Sequence, residues 1–147
     1  MTKLCTNESP STLSIRVLTV MPTNEDHETL GSMLAPPKWA VHQTRTVSSA
    51  VAQLNKKIET PIVLCEKELW PGSWRDILYQ IHNMSAPPNL IVTSRTADEQ
   101  LWAEALNLGA YDVLAKPFEV SELERSLTLA WIRWCRARGR GPKESGM

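Results

Sequence analysis

Residues 90–118 read LIVTSRTADEQLWAEALNLGAYDVLAKPF, and the periodicity changes three times within them. Leu90-Ile91-Val92-Thr93 is a short, continuous, β-branched apolar run that suits a strand buried on both faces. Asp98 to Leu108 carries helical spacing, and Gly109 is placed to stop that helix in the left-handed conformation. Tyr111-Asp112-Val113-Leu114 then reads as a second strand, closed by the turn Lys116-Pro117-Phe118. A strand, a helix and a strand joined by a few residues each form the crossover unit of a parallel sheet.

The same alternation continues upstream. Ile15 to Val20 is a β-branched run ended by Met21-Pro22, and Asn24 is expected to cap a helix that begins with Glu25 and Asp26 and turns Leu30 and Leu34 inward. Pro36-Pro37 ends that helix. Trp39 to Thr44 is a more polar strand, as an edge strand would be, followed by a short helix from Ser48 to Asn55. Pro61 to Cys65 is a strand, and a helix runs from about Trp74 to Asn83 with Ile77, Leu78 and Ile81 as its apolar stripe. Downstream, Val120 to about Arg136 is a long last helix. Five strands alternating with five helices predict an α/β parallel sheet covered on both faces, with right-handed crossovers. In open sheets of this kind function gathers at the carboxyl ends of the strands.

Length and composition set the bounds. The 147 residues, 42% of them hydrophobic, suit one domain burying roughly 70% of its unfolded surface. Residues 1–13 lack periodicity and are expected to form a disordered lead-in, residues 14–136 the domain, and residues 137–147 a basic flexible tail. Three cysteines, Cys5, Cys65 and Cys135, are far apart, with no spacing that suggests a zinc site or a disulfide framework. No run approaches the ~20 apolar residues of a membrane span, so a soluble, unprocessed, cytoplasmic protein is expected. Sixteen basic residues balance sixteen acidic ones, but Arg133, Arg136, Arg138, Arg140 and Lys143 concentrate at the end of the chain. Such a cluster offers contact with nucleic acid, although a solubilising terminus is the plainer reading. His27, His42 and His82 are isolated, and no catalytic set or phosphate-cradling glycine loop occurs.

The segment from Leu90 to Phe118 is similar to the second half of response-regulator receiver domains of two-component systems, and the resemblance extends over about residues 14 to 135. It implies a flavodoxin-like (βα)5 three-layer sandwich with strand order 2-1-3-4-5. It also implies what each strand end would do. In working receivers two acids after the first strand bind Mg²⁺, an aspartate after the third accepts a phosphoryl group, and a Ser/Thr and a Lys contact the phosphoryl oxygens. Here the acid-pair positions hold Met21 and Pro22, which offer a hard cation no carboxylate, so Mg²⁺ binding is expected to be lost or very weak and no cofactor is expected. Glu25 and Asp26 are expected to be carried away from the site by their helix.

Glu66 stands at the phosphoacceptor position, one methylene longer than aspartate, and in-line transfer tolerates little misplacement. A register shifted by one residue would put Cys65 there. A fixed glutamate could imitate a phosphorylated aspartate by pairing with Lys116, or be an ordinary loop residue. Ser94 and Lys116 match the phosphate-contacting positions. Val113 occupies the place of the family's switch aromatic, with Tyr111 two residues earlier and expected on the same face. Trp102, Trp131 and Trp134 are candidate interface residues on the fourth and fifth helices, and Trp70 and Trp74 flank the loop beside the site.

The expected function is therefore that of a non-enzymatic pseudo-receiver, a signalling module that is not phosphorylated and acts through protein contacts. Its partner would be a histidine kinase or an output protein, or a second copy held through the fourth helix, fifth strand and fifth helix. The alternatives are an atypical receiver phosphorylated at Glu66 and a nucleic-acid-associated regulator using the basic tail.

Overall fold

The computed structural model describes residues 14–145, with side chains to residue 138. Strands β1 (Ile15–Val20), β2 (Trp39–Thr44), β3 (Ile62–Glu66), β4 (Asn89–Ser94) and β5 (Asp112–Ala115) alternate with helices α1 (Asn24–Met33), α2 (Val47–Leu54), α3 (Trp74–His82), α4 (Glu99–Leu108) and α5 (Val120–Ser145). The strands pair in parallel in the order 2-1-3-4-5. This is the expected three-layer α/β sandwich.

Two apolar clusters fill the layers. On one face Leu18, Val20, Val63, Cys65, Leu90, Val92 and Val113 pack under α2, α3 and α4, with Trp74, Ile77 and Ile81 at the centre. On the other face Val17, Ile62, Leu64, Ile91 and Leu114 meet Leu30 and Leu34 of α1 and Leu123, Leu127 and Ala130 of α5. β3 is buried at every position, whereas β2 is only partly covered, as an edge strand should be. Deleting one such aliphatic side chain typically costs about 2–5 kcal/mol through lost contacts and the cavity left behind.

The helix starts are fixed by side-chain caps. Thr23, one residue before the expected Asn24, caps α1 by accepting the Asp26 N–H. Thr46 and Ser49 form a capping box on α2, as do Ser73 and Asp76 on α3, and Asp98 caps α4. Each cap satisfies amide donors that a helix leaves free at its start. Gly109 closes α4 at φ 108°, where a side chain would be strained and would also meet His82 Nε2 at 2.9 Å.

Two features depart from the sequence reading. α5 does not end near Arg136 but continues to Ser145, through the stretch expected to be a flexible tail. Cys65 is free and buried. Trp134 is not a surface residue: it lies 2% exposed at the end of the inward stripe Leu123, Leu127, Ala130, Trp134. That stripe recurs at helical spacing, so Trp134 continues the core face, and Trp131 is left half-buried beside it. The lead-in at residues 1–13 lies outside the described residues. No described helix is long and apolar enough to cross a membrane.

Candidate functional site

The carboxyl ends of β1, β3, β4 and β5 converge, and the side chains that follow from them meet around one buried ammonium group. Lys116, directly after β5, continues the ladder by donating its backbone N–H to the Ser94 carbonyl at 3.0 Å. Its Nζ lies 2.5 Å from Glu66 Oε1 and 2.8 Å from Asp26 Oδ2. The three side chains are 9%, 5% and 10% exposed, so this triad is shielded from water. Burial on its own would lower the Lys116 pKa. Hydrogen bonds to Asp26 and Glu66 outweigh that, and the group is held protonated above its ordinary value.

Glu66 ends β3 and is saturated with donors. Its Oε1 also accepts from Thr93 Oγ1 at 3.1 Å, and its Oε2 accepts from the Glu68 N–H at 3.2 Å. Thr93 stands opposite Glu66 in the β3–β4 register, and in-register neighbours of a parallel pair project to the same side. Cys65, the alternative occupant of this position, points into the core at 0% exposure. Burial, reinforced by the Glu66 charge, pushes its thiol well above the ordinary range, so it is no nucleophile at neutral pH.

The other expected residues divide. Ser94 does not touch Glu66: its hydroxyl accepts the Thr96 N–H at 3.0 Å and shares a hydrogen bond with the Thr96 hydroxyl. The hydroxyl that reaches Glu66 is that of Thr93, one residue earlier. Met21 is buried in the α1–α5 layer at 0% exposure, with its backbone N–H still paired to Thr44, while Pro22 is exposed and gives its carbonyl to Arg45.

Asp26 corrects the sequence reading most directly. It was expected to leave the site with its helix, but it is 7% exposed and binds Lys116. The signal was present: Asp26, Leu30 and Leu34 recur every four residues, so the carboxylate stands at the head of the stripe that faces the sheet. Glu25 stays on the surface, 3.7 Å from Arg95 in a pair 77% and 73% exposed.

A cleft of about 280 Å³ opens over the triad, lined by Pro22, Thr23, Asp26, Glu66, Glu68, Ser94, Arg95, Thr96 and Lys116. Its donor set does not fit Mg²⁺. The thioether of Met21, a soft donor, is buried 4.0 Å from the Thr93 hydroxyl, and the two buried carboxylates are both spent on an ammonium that stands between them. Among the described residues no group of three or more His, Cys, Asp or Glu side chains is disposed to hold a metal ion.

The expected switch pair is also divided. Val113 lies in the layer under α4. Tyr111 precedes the first residue of β5, so strand alternation does not reach it; it packs on the α1–α5 layer, with the Arg133 guanidinium 5.4 Å from its ring centre. Beside them Trp102 and Leu129 rim a cleft of about 240 Å³ between α4, β5 and α5, and both are more than 40% exposed.

No protein-family model matches the chain. Over 72 residues it is 33% identical to the transcriptional regulatory protein DcuR of Escherichia coli strain K12, and equally so to that of strain O157:H7. That match covers 48% of this chain and only 30% of the relative. Solved structures align over most of the chain. The signal receiver domain of a putative Luxo repressor protein from Vibrio parahaemolyticus superposes with a TM-score of 0.76 at 20% identity, covering 83% of this chain and 93% of that one. The receiver domain of an HD domain-containing protein from Pseudomonas fluorescens Pf-5 gives 0.73 at 25% identity, covering 82% and 97%. The beryllofluoride-activated NtrC4 receiver domain dimer gives 0.73 at 21% identity, covering 81% and 98%. With strand order 2-1-3-4-5 and its polar site at the strand ends, the chain has the fold of the receiver domains of two-component response regulators.

Proposed function

We propose that this domain is a non-catalytic receiver-like signalling module whose site is held in one state by its own glutamate. The observation that carries this reading is the 2.5 Å contact between Glu66 and Lys116 inside a shielded site. A phosphoacceptor must present a free carboxylate oxygen to the incoming phosphorus. Glu66 instead accepts from Lys116, Thr93 and the Glu68 amide. The pocket also lacks the acid pair that would bind a metal and neutralise a transferring phosphoryl group. A fixed anion bound to Lys116 gives the charge pairing that a phosphorylated aspartate would form.

Output then depends on protein contact, and the rim of Trp102 and Leu129 between α4, β5 and α5 is the surface we assign to it, for a kinase, an output protein or a second copy. Exposed aromatic and aliphatic side chains around a shallow cleft suit an interface anchor. Incubating the protein with acetyl phosphate and Mg²⁺, or with beryllofluoride and Mg²⁺, tests the reading by intact mass and by tryptophan fluorescence. No added mass and no Mg²⁺-dependent change are expected. A phosphoryl adduct on Glu66 would refute it. Glu66→Gln, which keeps the shape and removes the charge, is expected to alter self-association or partner affinity while Ser94→Ala does not.

A further inference from the structure

At the amino ends of the strands, opposite the strand ends that carry Glu66, lies a second polar cleft of about 230 Å³. It is formed by the α3–β4 connection and the α5 face, with Ser85, Pro87 and Asn89 on one wall and Arg133, Trp134 and Arg138 on the other. Its chemistry differs from that of four other clefts among the described residues. The one over the triad contains Asp26, Glu66 and Glu68, and the neighbouring one between α1 and the β5–α5 turn contains Glu25 and Asp26. The cleft at the start of α5 contains Glu119 and Glu122, and the one beside β5 contains Asp112 and Glu122. The cleft at Arg133 carries two guanidinium groups and no carboxylate in its lining.

The donors there are held in place. Arg138 lies 4.9 Å from the Trp134 ring centre and is paired with Glu59 at 2.5 Å, while Arg133 is stacked on Tyr111. Asn89 spends an amide hydrogen on the Ala130 carbonyl at 2.8 Å, tying the β4 start to α5. Trp134, 2% exposed, has an indole N–H without a protein partner. That N–H is fully enclosed, so it senses the cleft wall without itself contacting a ligand.

We propose that this cleft binds a small oxyanion, of phosphate or phosphomonoester size. Guanidinium groups match the geometry of phosphate oxygens through paired N–H donors, and Ser85 supplies a hydroxyl within the same lining. The volume is below that of a pocket for a drug-sized molecule, which restricts the ligand to the anion and a few attached carbons. The site shares no lining residue with the Glu66 cleft, and its occupancy is independent of whether Glu66 imitates a phosphorylated group.

The test follows the Trp134 indole N–H in ¹H–¹⁵N spectra of the full chain, with sodium chloride at matched ionic strength as the control. Inorganic phosphate and methyl phosphate, each titrated to about 20 mM, should give a saturable shift with a Kd near 1 mM or below. The two probes distinguish the free ion from an ester. Arg133→Gln should weaken binding at least about tenfold by removing charge-assisted donors, and an unchanged Tm would show that this variant remains folded. A shift matched by chloride, a shift that does not saturate with either probe, or binding unaffected by Arg133→Gln would overturn the proposal.

Discussion

Replacing Lys116 with methionine keeps the length of the side chain and removes the charge, leaving Asp26 and Glu66 to face each other without a cation. Both carboxylates and the lysine are at most 10% exposed, so the relevant comparison is the breaking of a buried pair. Removing one partner of such a pair costs about 3–5 kcal/mol, because an uncompensated charge stays behind. Against a total stability of roughly 5–15 kcal/mol for a domain, the variant should lose a large share of its stability. At roughly 3 °C per kcal/mol for a chain of this size, the Tm should fall by roughly 10–15 °C. Urea unfolding at pH 7, followed by tryptophan fluorescence, measures the difference directly. Lys67→Met is the control, since Lys67 lies 4.0 Å from Glu68 in a pair 33% and 76% exposed and should change stability by less than about 0.5 kcal/mol. If Lys116→Met also costs less than about 1 kcal/mol, the triad is effectively solvated and the argument for a locked site fails.

Alkaline pH should act on the same group. The folded-state pKa of Lys116 is raised above 10.5, so its stabilisation is fully present at neutral pH and is lost as pH rises through the raised value; a stability–pH curve for Lys116→Met should lack that alkaline loss. His27 behaves in the opposite sense. Burial, the largest influence, lowers its pKa below 6.5, so stability is fully present above pH 6.5 and falls as pH drops toward the folded value, by at most about 1.4 kcal/mol per pH unit. Removing the titratable group in His27→Leu should flatten the curve between pH 6.5 and 5. Thr93→Val should cost about 1–2 kcal/mol in urea unfolding by removing a donor from buried Glu66, more than Ser94→Ala at the neighbouring position. Trp74→Ala should cost about 3–5 kcal/mol, whereas Trp70→Ala, at a side chain 87% exposed, should stay within about 0.5 kcal/mol by the same measurement.

How much of this was legible in the sequence depends on which physical rule each residue obeys. Strand and helix identities follow from local periodicity, and β3, buried at all five positions, announces itself by its apolar run Ile62-Val63-Leu64-Cys65. Glu66 and Lys116 were legible because one ends β3 and the other directly follows β5, where a side chain has little choice but to enter the shared edge. Trp134 was misread because three tryptophans on two helices suggested a surface, while the i, i+4, i+7, i+11 spacing from Leu123 already placed it inward. Tyr111 was misread because alternation holds only inside a strand, and β5 begins one residue later.

The exchange of Ser94 for Thr93 shows what single-segment reading leaves out. Both hydroxyls lie at the end of β4, and the sequence reading took Ser94, expected just after that strand, as the match to a phosphate contact. What selects between them is the pairing of β4 with β3: Thr93 is in register with Glu66, while Ser94 is in register with Ala115 of β5 and turns to the Thr96 amide. Register belongs to two strands at once and cannot be read from either. The same reasoning applies to Asp26, whose role rests on α1 being packed across the sheet from β5 with its first turn above Lys116. If pairing with Glu66 and Asp26 is what fixes Lys116, the combination Asp26→Asn with Glu66→Gln should free the ammonium in a stepwise way. Either single change leaves one carboxylate partner and a modest loss, and the double change leaves a buried ammonium with only neutral amide partners. The loss in the double variant should then exceed the sum of the two single losses by about 1 kcal/mol or more, within the range seen for groups sharing one network. Strict additivity in urea unfolding would mean that the two carboxylates hold Lys116 independently, and that Asp26 is only a helix-start charge that happens to reach it.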